Sequence, residues 1–301
     1  MRKSDYFTPS FVLGPRFALG LLLVLGTVEL ASAQKVTLLE DQRYCDSEGR
    51  AGLCDVYSPT TAAPKAGFPV VVVVHGGGWI SGDKWTLEGY SRMLAQNGMV
   101  AVTINYRLAP AHKFPAQVDD VRQALLWVKA NAKRLSLDLS RLGLFGYSAG
   151  GHLSTLVASL ADEPIEVQAS ASRWDSKDQK WKQLPAIRAV CAGGPPCDFR
   201  SYSKENKSLS YFLGGSRGEK PAVYQAASPA AHVSKNDPVT QIIHGEKDLI
   251  VPIKESREFH QAQVAAGIDS RMLVVTGQGH MVTFINPKTR KQLLEFFSDV
   301  L

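Results

Sequence analysis

Motifs that cradle phosphate are missing from this chain. Neither G-x-x-x-x-G-K-[S/T] nor G-x-G-x-x-G occurs in its 301 residues, which argues against nucleotide chemistry. No C-x-x-C is present and no histidine is spaced for zinc, so no metal site is expected. Long apolar runs are scarce too. There is one, near the N-terminus, and that excludes a polytopic membrane protein. Charge is not blocked by sign: 34 basic and 28 acidic residues are scattered and give +6, a weak basis for nucleic-acid binding. The 25 glycines and 16 prolines show no triplet period, which excludes collagen. With 45% hydrophobic residues the chain is not built to stay disordered.

The single apolar run reads as an address. Arg2, Lys3 and Arg16 precede Phe17 to Leu30, and Ala31-Ser32-Ala33 follows. A basic start, a short apolar stretch and a small-x-small site predict a signal peptide over 1–33, hence a secreted or periplasmic protein. The run is about 14 residues, short of the roughly 20 that span a bilayer. No stable membrane association is expected after cleavage. The alternative is an uncleaved anchor.

Export would permit disulfides. Four cysteines fall into two local pairs, Cys45 with Cys54 and Cys191 with Cys197. Four allow three pairings. The local spacing leads us to expect the two short-range bridges, the first across a turn-rich stretch and the second across Gly193-Gly194-Pro195-Pro196.

The body of the chain, 34–301, alternates strand-like and helix-like patterns. Val70 to Val74 is continuous and apolar, as in a strand covered on both faces. Similar runs are Met99–Ile104, Leu142–Tyr147, Ala186–Cys191, Val239–His244 and Arg271–Thr276, with helical spacing at Ala116–Lys133, Lys254–Ala266 and Pro287–Val300. Val36–Tyr44 and Leu53–Tyr57 read as a leading antiparallel hairpin. The expected architecture is α/β: one domain, with eight mostly parallel strands and helices on both faces. Two polar stretches, 161–185 and 198–238, read as insertions at strand ends. The second, with Tyr202, Tyr211 and Phe212, is expected to form a small lid, and the first, with Trp174 and Trp181, an aromatic wall.

Chemistry-bearing residues sit at four strand ends. Gly146-x-Ser148-x-Gly150 joins a strand to a helix, the context in which a strained turn lifts a serine oxygen above a sheet. His75-Gly76-Gly77-Gly78-Trp79 follows the valine run. N–H groups of Gly77 and Gly78, with that of Ala149, suit a developing oxyanion. His244-Gly245-Glu246-Lys247-Asp248 offers a carboxylate, Asp248 first and Glu246 as the alternative. Gly279-His280 follows the last strand, and only His260 and His280 come after Asp248. His260 falls inside a helical run, which leaves His280 as the base. The order Ser, Asp, His is that of one hydrolase architecture among the known triads. Trp79 and Tyr211 are expected to line the substrate cleft. The plainer reading is that these aromatics pack the insertions against the sheet.

Together with Asn105-Tyr-Arg-Leu-Ala-Pro110 and His112-Lys-Phe-Pro115, these motifs resemble the α/β-hydrolase superfamily. Within it they are similar to the hormone-sensitive-lipase-like carboxylesterases, and more closely to the bidirectional feruloyl-esterase-like group, BD-FAE. The resemblance covers about 40–298. It implies the α/β-hydrolase fold and ester hydrolysis without a cofactor, with Ser148 as nucleophile, His280 as base, Asp248 as acid and Gly77, Gly78 and Ala149 as oxyanion donors. The implied substrate is a small or polysaccharide-linked ester carrying, for example, acetyl or feruloyl groups. Tyr147 stands where many relatives have an acidic residue, and the cysteine pairs and the Trp174–Trp181 insertion look particular to this chain, so the substrate preference of relatives transfers poorly. Two rival readings are a prolyl-oligopeptidase-like peptidase, for which 268 residues leave no room for the usual extra domain, and a non-catalytic binding module, which would typically have lost a triad residue.

Overall fold

The five valines of the central run divide by the pleat. Val70, Val72 and Val74 enter one apolar layer and Val71 and Val73 the other, all fully buried, because successive side chains of a strand face opposite ways. Each such residue removed from water stabilises the fold by roughly 1.5–3 kcal/mol. The computed structural model describes residues 35–47 and 49–301, so the expected signal peptide lies outside the described residues. No helix among the described residues is long and apolar enough to cross a membrane.

Eight strands form one sheet: β1 (Val36–Arg43), β2 (Leu53–Pro59), β3 (Phe68–Val74), β4 (Val100–Ile104), β5 (Leu137–Tyr147), β6 (Ala189–Gly193), β7 (Val239–Gly245) and β8 (Ser270–Val275). Their order is β1-β2-β4-β3-β5-β6-β7-β8. Only β2 runs against the rest, antiparallel to both β1 and β4. The helices are α1 (Glu88–Gln96), α2 (Ala116–Ala130), α3 (Ala149–Leu160), α4 (Ile165–Ser170), α5 (Ser210–Leu213), α6 (Pro221–Ala226), α7 (Ile253–Ala265), α8 (His280–Ile285) and α9 (Pro287–Val300). One face of the sheet is covered by α2 and α3 through Val118, Val121, Leu125, Leu153 and Leu156. The other is covered by α1 and α9 through Tyr90, Leu94, Leu293, Phe296 and Phe297. Parallel strands put their C-terminal ends on one edge, where the loops after β3, β5, β7 and β8 meet.

The expected disulfides are not formed: Cys45, Cys54, Cys191 and Cys197 are all free. Cys191 packs in the layer under α1 and α9, whereas Cys197 packs with Ile242 and Phe259 on the opposite face, so the sheet separates them. The turn carrying Cys45 is closed instead by Arg43. Its guanidinium donates to the carbonyls of Ser47 at 3.0 Å and Gly49 at 3.3 Å, while the Tyr44 N–H donates to Gly52 O at 2.9 Å. The Cys45 thiol faces the Ser47 hydroxyl at 3.3 Å, and burial pushes the Cys54 thiol up to about 12.

Neither insertion lines the cavity that Ser148 and His280 share, where the lid and wall were expected. Phe199 and Phe212 are fully buried and meet Trp79, whose ring stacks on Phe212 at 4.3 Å between centroids. The Trp79 indole N–H donates to His152 Nδ1 at 3.2 Å, and His152 Nε2 in turn meets Ala227 O at 2.8 Å. Trp174 and Trp181 pack edge to face, with Arg122 over Trp181. These aromatics tie the insertions to the sheet because their area is worth more buried than exposed. Trp79→Ala is therefore expected to cost about 3–5 kcal/mol, the usual range for emptying a core aromatic site. A urea midpoint equal to that of the parent would contradict this.

At the opposite end of the sheet, before β7, lies a carboxyl with no partner. Asp237 is buried and neither of its oxygens is hydrogen-bonded among the described residues. Burial, reinforced by the nearby Asp162, pushes it up to about 8; Ser234 N–H and the Ser159 hydroxyl pull the other way but are too loosely placed to satisfy it. In the unfolded chain the group titrates near 4. The folded state therefore holds the extra proton, and stability falls as pH rises from about 4 to about 8. Asp237→Asn is expected to gain on the order of a few kcal/mol over the parent at pH 8, shrinking toward zero near pH 4. A constant difference across that window, read from denaturation midpoints, would refute the assignment.

Candidate active site

Ser148 sits where β5 turns into α3, with φ 54° and ψ −121°, a backbone state that is costly for a side-chain-bearing residue. The turn is enforced by close packing. A Cβ on Gly146 would lie 2.1 Å from Gly150 O, and one on Gly150 would lie 2.0 Å from Val74 O. The G-x-S-x-G spacing is thus a steric requirement of this junction. Ser148 N–H donates to Gly193 O at 2.7 Å, which pins the elbow to β6.

His280 begins α8 and Asp248 lies on the loop after β7. Their contact, Nδ1 to Oδ2, is 2.6 Å, and both side chains are nearly fully buried. Asp248 Oδ1 accepts the N–H groups of Ile250 and Val251, each at 2.9 Å. Burial pulls this carboxyl upward, yet hydrogen bonds from His244, His280 and Val251 N–H outweigh it and hold it well below the usual carboxylate range. Glu246, the other candidate, is exposed and accepts Gly277 N–H at 2.8 Å. His260 is half-buried on α7 against the Ser270 hydroxyl.

Ser148 and His280 line one cavity of about 360 Å³ with Gly76, Gly77 and Gly78. Its remaining wall is mainly apolar, including Leu87, Ile250, Met281 and Phe284. The carbonyls of the glycine loop are turned away: Gly77 O accepts from Ile80 and Ser81, and Gly78 O accepts the Tyr211 hydroxyl at 3.0 Å. The N–H groups of Gly77, Gly78 and Ala149 carry no acceptor among the described residues. The arrangement can deliver a serine oxygen, an imidazole oriented by a carboxylate, and N–H donors to one reacting centre. Trp79 and Tyr211, expected on the cleft wall, do not line the cavity. Trp79 is core, and Tyr211 reaches the loop only through Gly78 O.

Three residues of this constellation escaped the sequence reading. His244 is fully buried, with Nδ1 on the Ser256 hydroxyl at 2.8 Å and Nε2 shared between Val251 O at 2.9 Å and Asp248 Oδ2 at 3.2 Å. It braces the carboxylate from behind, and its place four residues before Asp248 was the available signal. Gly194, at φ 52°, lies under the imidazole, and a Cβ there would stand 2.9 Å from His280 Cε1. The Gly-Gly-Pro-Pro stretch is thus a seat for His280 rather than a link between cysteines. Tyr147 packs edge-on against the His280 ring and donates its hydroxyl to His280 O at 2.6 Å, which explains an aromatic residue beside Ser148.

The chain resembles known proteins in sequence and in fold. The BD-FAE family model matches residues 54–263. Esterase LipC of Mycobacterium tuberculosis is 29% identical over 246 residues, 79% of this chain and 59% of its own. Esterase LipQ of the same organism is 31% identical over 225 residues, 73% of this chain and 51% of its own. The chain thus spans between about half and three fifths of the length of these relatives. Among solved structures, a truncated carbohydrate esterase from gut microbiota superposes with a TM-score of 0.78 at 22% identity, covering 89% of this chain and 96% of that one. A bifunctional GH43-CE protein of Bacteroides eggerthii gives 0.76 at 27%, covering 87% of this chain and 35% of that one. The fold is that of the α/β-hydrolases.

Proposed function

Because the chain belongs to the BD-FAE family, we propose that it is a serine carboxylic ester hydrolase acting on short acyl or aryl esters, acetyl and feruloyl among them. The observation that carries this reading is the 2.6 Å contact of His280 with Asp248 at the wall of the cavity that also holds Ser148. In the proposed cycle Ser148 Oγ attacks the ester carbonyl as His280 Nε2 takes its proton. The oxyanion rests on the N–H groups of Gly77, Gly78 and Ala149. His280 then protonates the departing alcohol, the acyl group stays on Ser148, and water attacks it by the same proton route. Asp248 holds Nδ1–H throughout and stabilises the imidazolium.

The size and apolar wall of the cavity support a small acyl or aromatic group, since pockets for such ligands begin near 300 Å³. The N-terminal pattern supports export, and esters on polysaccharide are the substrates an exported esterase of this kind would meet. The test is a panel of p-nitrophenyl acyl esters, methyl ferulate and acetylated xylan. Turnover falling with acyl length is expected. Failure to hydrolyse any ester would overturn the proposal. A protein recovered from the culture medium or periplasm should begin at Gln34, and one retaining residues 1–33 would refute cleavage.

A further inference from the structure

The cavity opens through a rim that is apolar where a soluble protein is ordinarily polar. Leu249 is 96% exposed and Ile250 66% on the loop after β7, and Met281, Val282 and Ile285 project from α8. Trp85, 65% exposed, precedes Thr86 and Leu87 of the cavity wall in the chain but itself lines a neighbouring polar cleft with Asp83, Glu88 and Arg92. Ile250 and Met281 line the cavity itself, so the loop after β7 and α8 meet at one opening. Scattered single apolar side chains are normal on a surface, but a contiguous group rimmed by polar residues marks an interaction site.

The charges around the rim say what kind of surface fits. On the Trp85 side they are matched in pairs: Arg50 with Asp83 and Arg92 with Glu88. On the Leu249 and α8 side Lys254 is matched with Glu258. Lys247, Lys288 and Arg290 are exposed and have no carboxylate partner among the described residues. The remaining acid there, Glu246, accepts Gly277 N–H and keeps its negative charge. Lys247, Lys288 and Arg290 outnumber it, so the balance on this side of the opening is positive, set beside knobs of leucine, valine and isoleucine.

We propose that this rim is a docking surface for an anionic lipid surface, which the protein touches reversibly with the cavity mouth facing the lipid. The apolar knobs enter the acyl boundary and the lysines meet the anionic head groups, the same pairing that seats amphipathic helices on bilayers. An ester held in that surface then lies directly at the opening. The docking itself does not depend on hydrolysis, although its benefit rests on the proposed esterase reading.

The test compares the full chain with a triple variant, Leu249→Ser, Val282→Ser and Ile285→Ser, and with a double variant, Lys247→Glu and Lys288→Glu. None of these side chains lines the cavity. All forms carry Ser148→Ala for binding, so that hydrolysis plays no part, and all keep the same N-terminus, so that the apolar run near residues 17–30 cancels. Co-flotation is measured with phosphatidylcholine vesicles, with and without about one third phosphatidylglycerol. We expect binding to the anionic vesicles to fall about tenfold or more in each variant, and the double variant to bind both vesicle types equally weakly. With Ser148 restored, hydrolysis of emulsified tributyrin should fall in parallel while that of soluble p-nitrophenyl acetate stays within about twofold. Undiminished binding and undiminished tributyrin hydrolysis in the triple variant would overturn the proposal. So would a parent that sediments as a dimer and a triple variant that does not, with vesicle binding unchanged, since the rim would then be a self-association surface. A chain that hydrolyses no ester but still loses vesicle binding on substitution refutes the esterase reading and leaves the docking surface standing.

Discussion

Replacement of Ser148 by alanine is expected to lower kcat on p-nitrophenyl acetate by about 10⁶-fold, the order seen when a serine nucleophile is removed from a comparable triad. The substitution removes one oxygen from a residue already forced to φ 54° by the packing of Gly146 and Gly150. It adds no bulk and breaks no backbone bond: Ser148 N–H still meets Gly193 O, and Ser148 O still accepts from His152. The fold should therefore persist, with an unchanged denaturation midpoint and unchanged binding of a substrate analogue. The oxyanion donors remain, so a residue of about 10³-fold acceleration over water is expected to survive. Activity within a factor of ten of the parent, measured on protein freed of contaminating esterase by titration with a phosphonate, would remove Ser148 from the mechanism.

The second large effect is expected at Asp248. Asparagine fits the same space but offers an amide where His280 Nδ1 meets a carboxylate oxygen at 2.6 Å. The ring is then steered to the tautomer whose Nε2 carries the proton and cannot take one from Ser148. A loss of about 10⁴-fold in kcat follows, with KM little changed. The pH dependence separates this from a general loosening. Because its hydrogen bonds hold Asp248 well below the usual carboxylate range, it stays ionised through neutral and mildly acidic pH, and the acid limb of the parent profile does not arise from it. A depressed carboxyl stabilises the fold above its unfolded value, near 4, and that contribution disappears as pH falls through the folded value. The stability gap between parent and Asp248→Asn should thus be full at pH 6 and close below about pH 4. A variant that loses activity only in proportion to its loss of folded protein would mean that Asp248 is structural.

What could be read ahead of the structure followed from short-range rules. The valine run of β3 announced a strand covered on both faces because no exposed strand is apolar at five successive positions. The elbow was legible because glycines two residues either side of a serine have few other reasons to coincide with a strand-to-helix junction. What was not legible depends on distant partners. Helix α1 has a glycine, a serine and an arginine among its nine residues, and acquires its order from Tyr90 and Leu94 packing against β3 and α9. Trp79 follows Gly76, Gly77 and Gly78 directly, which suggested the cleft. Its φ of 61° instead turns the ring down into Phe212 and His152. The cysteine pairs were close in sequence, but the strand between them set Cys191 and Cys197 on opposite faces. His244 and Gly194 show the same limit, since their roles are defined by contacts with Asp248 and His280 from other strand ends.

The insertion at 198–238 contributes nothing to the cavity wall, yet it grips the loop that would hold the oxyanion, through the Tyr211 hydroxyl on Gly78 O and Phe212 on the Trp79 ring. This makes the insertion a tether whose continuity matters more than its composition. The stretch just before α5 is exposed and carries Lys204 and Lys207, an open target for a trypsin-like protease. A single cut there leaves Ser148, His280 and Asp248 in place and every core strand intact, but frees one end of the segment that holds Gly78. Nicked protein would still react with a phosphonate at Ser148, slowly, while turning over ester poorly, so that in the presence of proteases the working lifetime of the proposed esterase would be set by a loop that lines no part of its cavity.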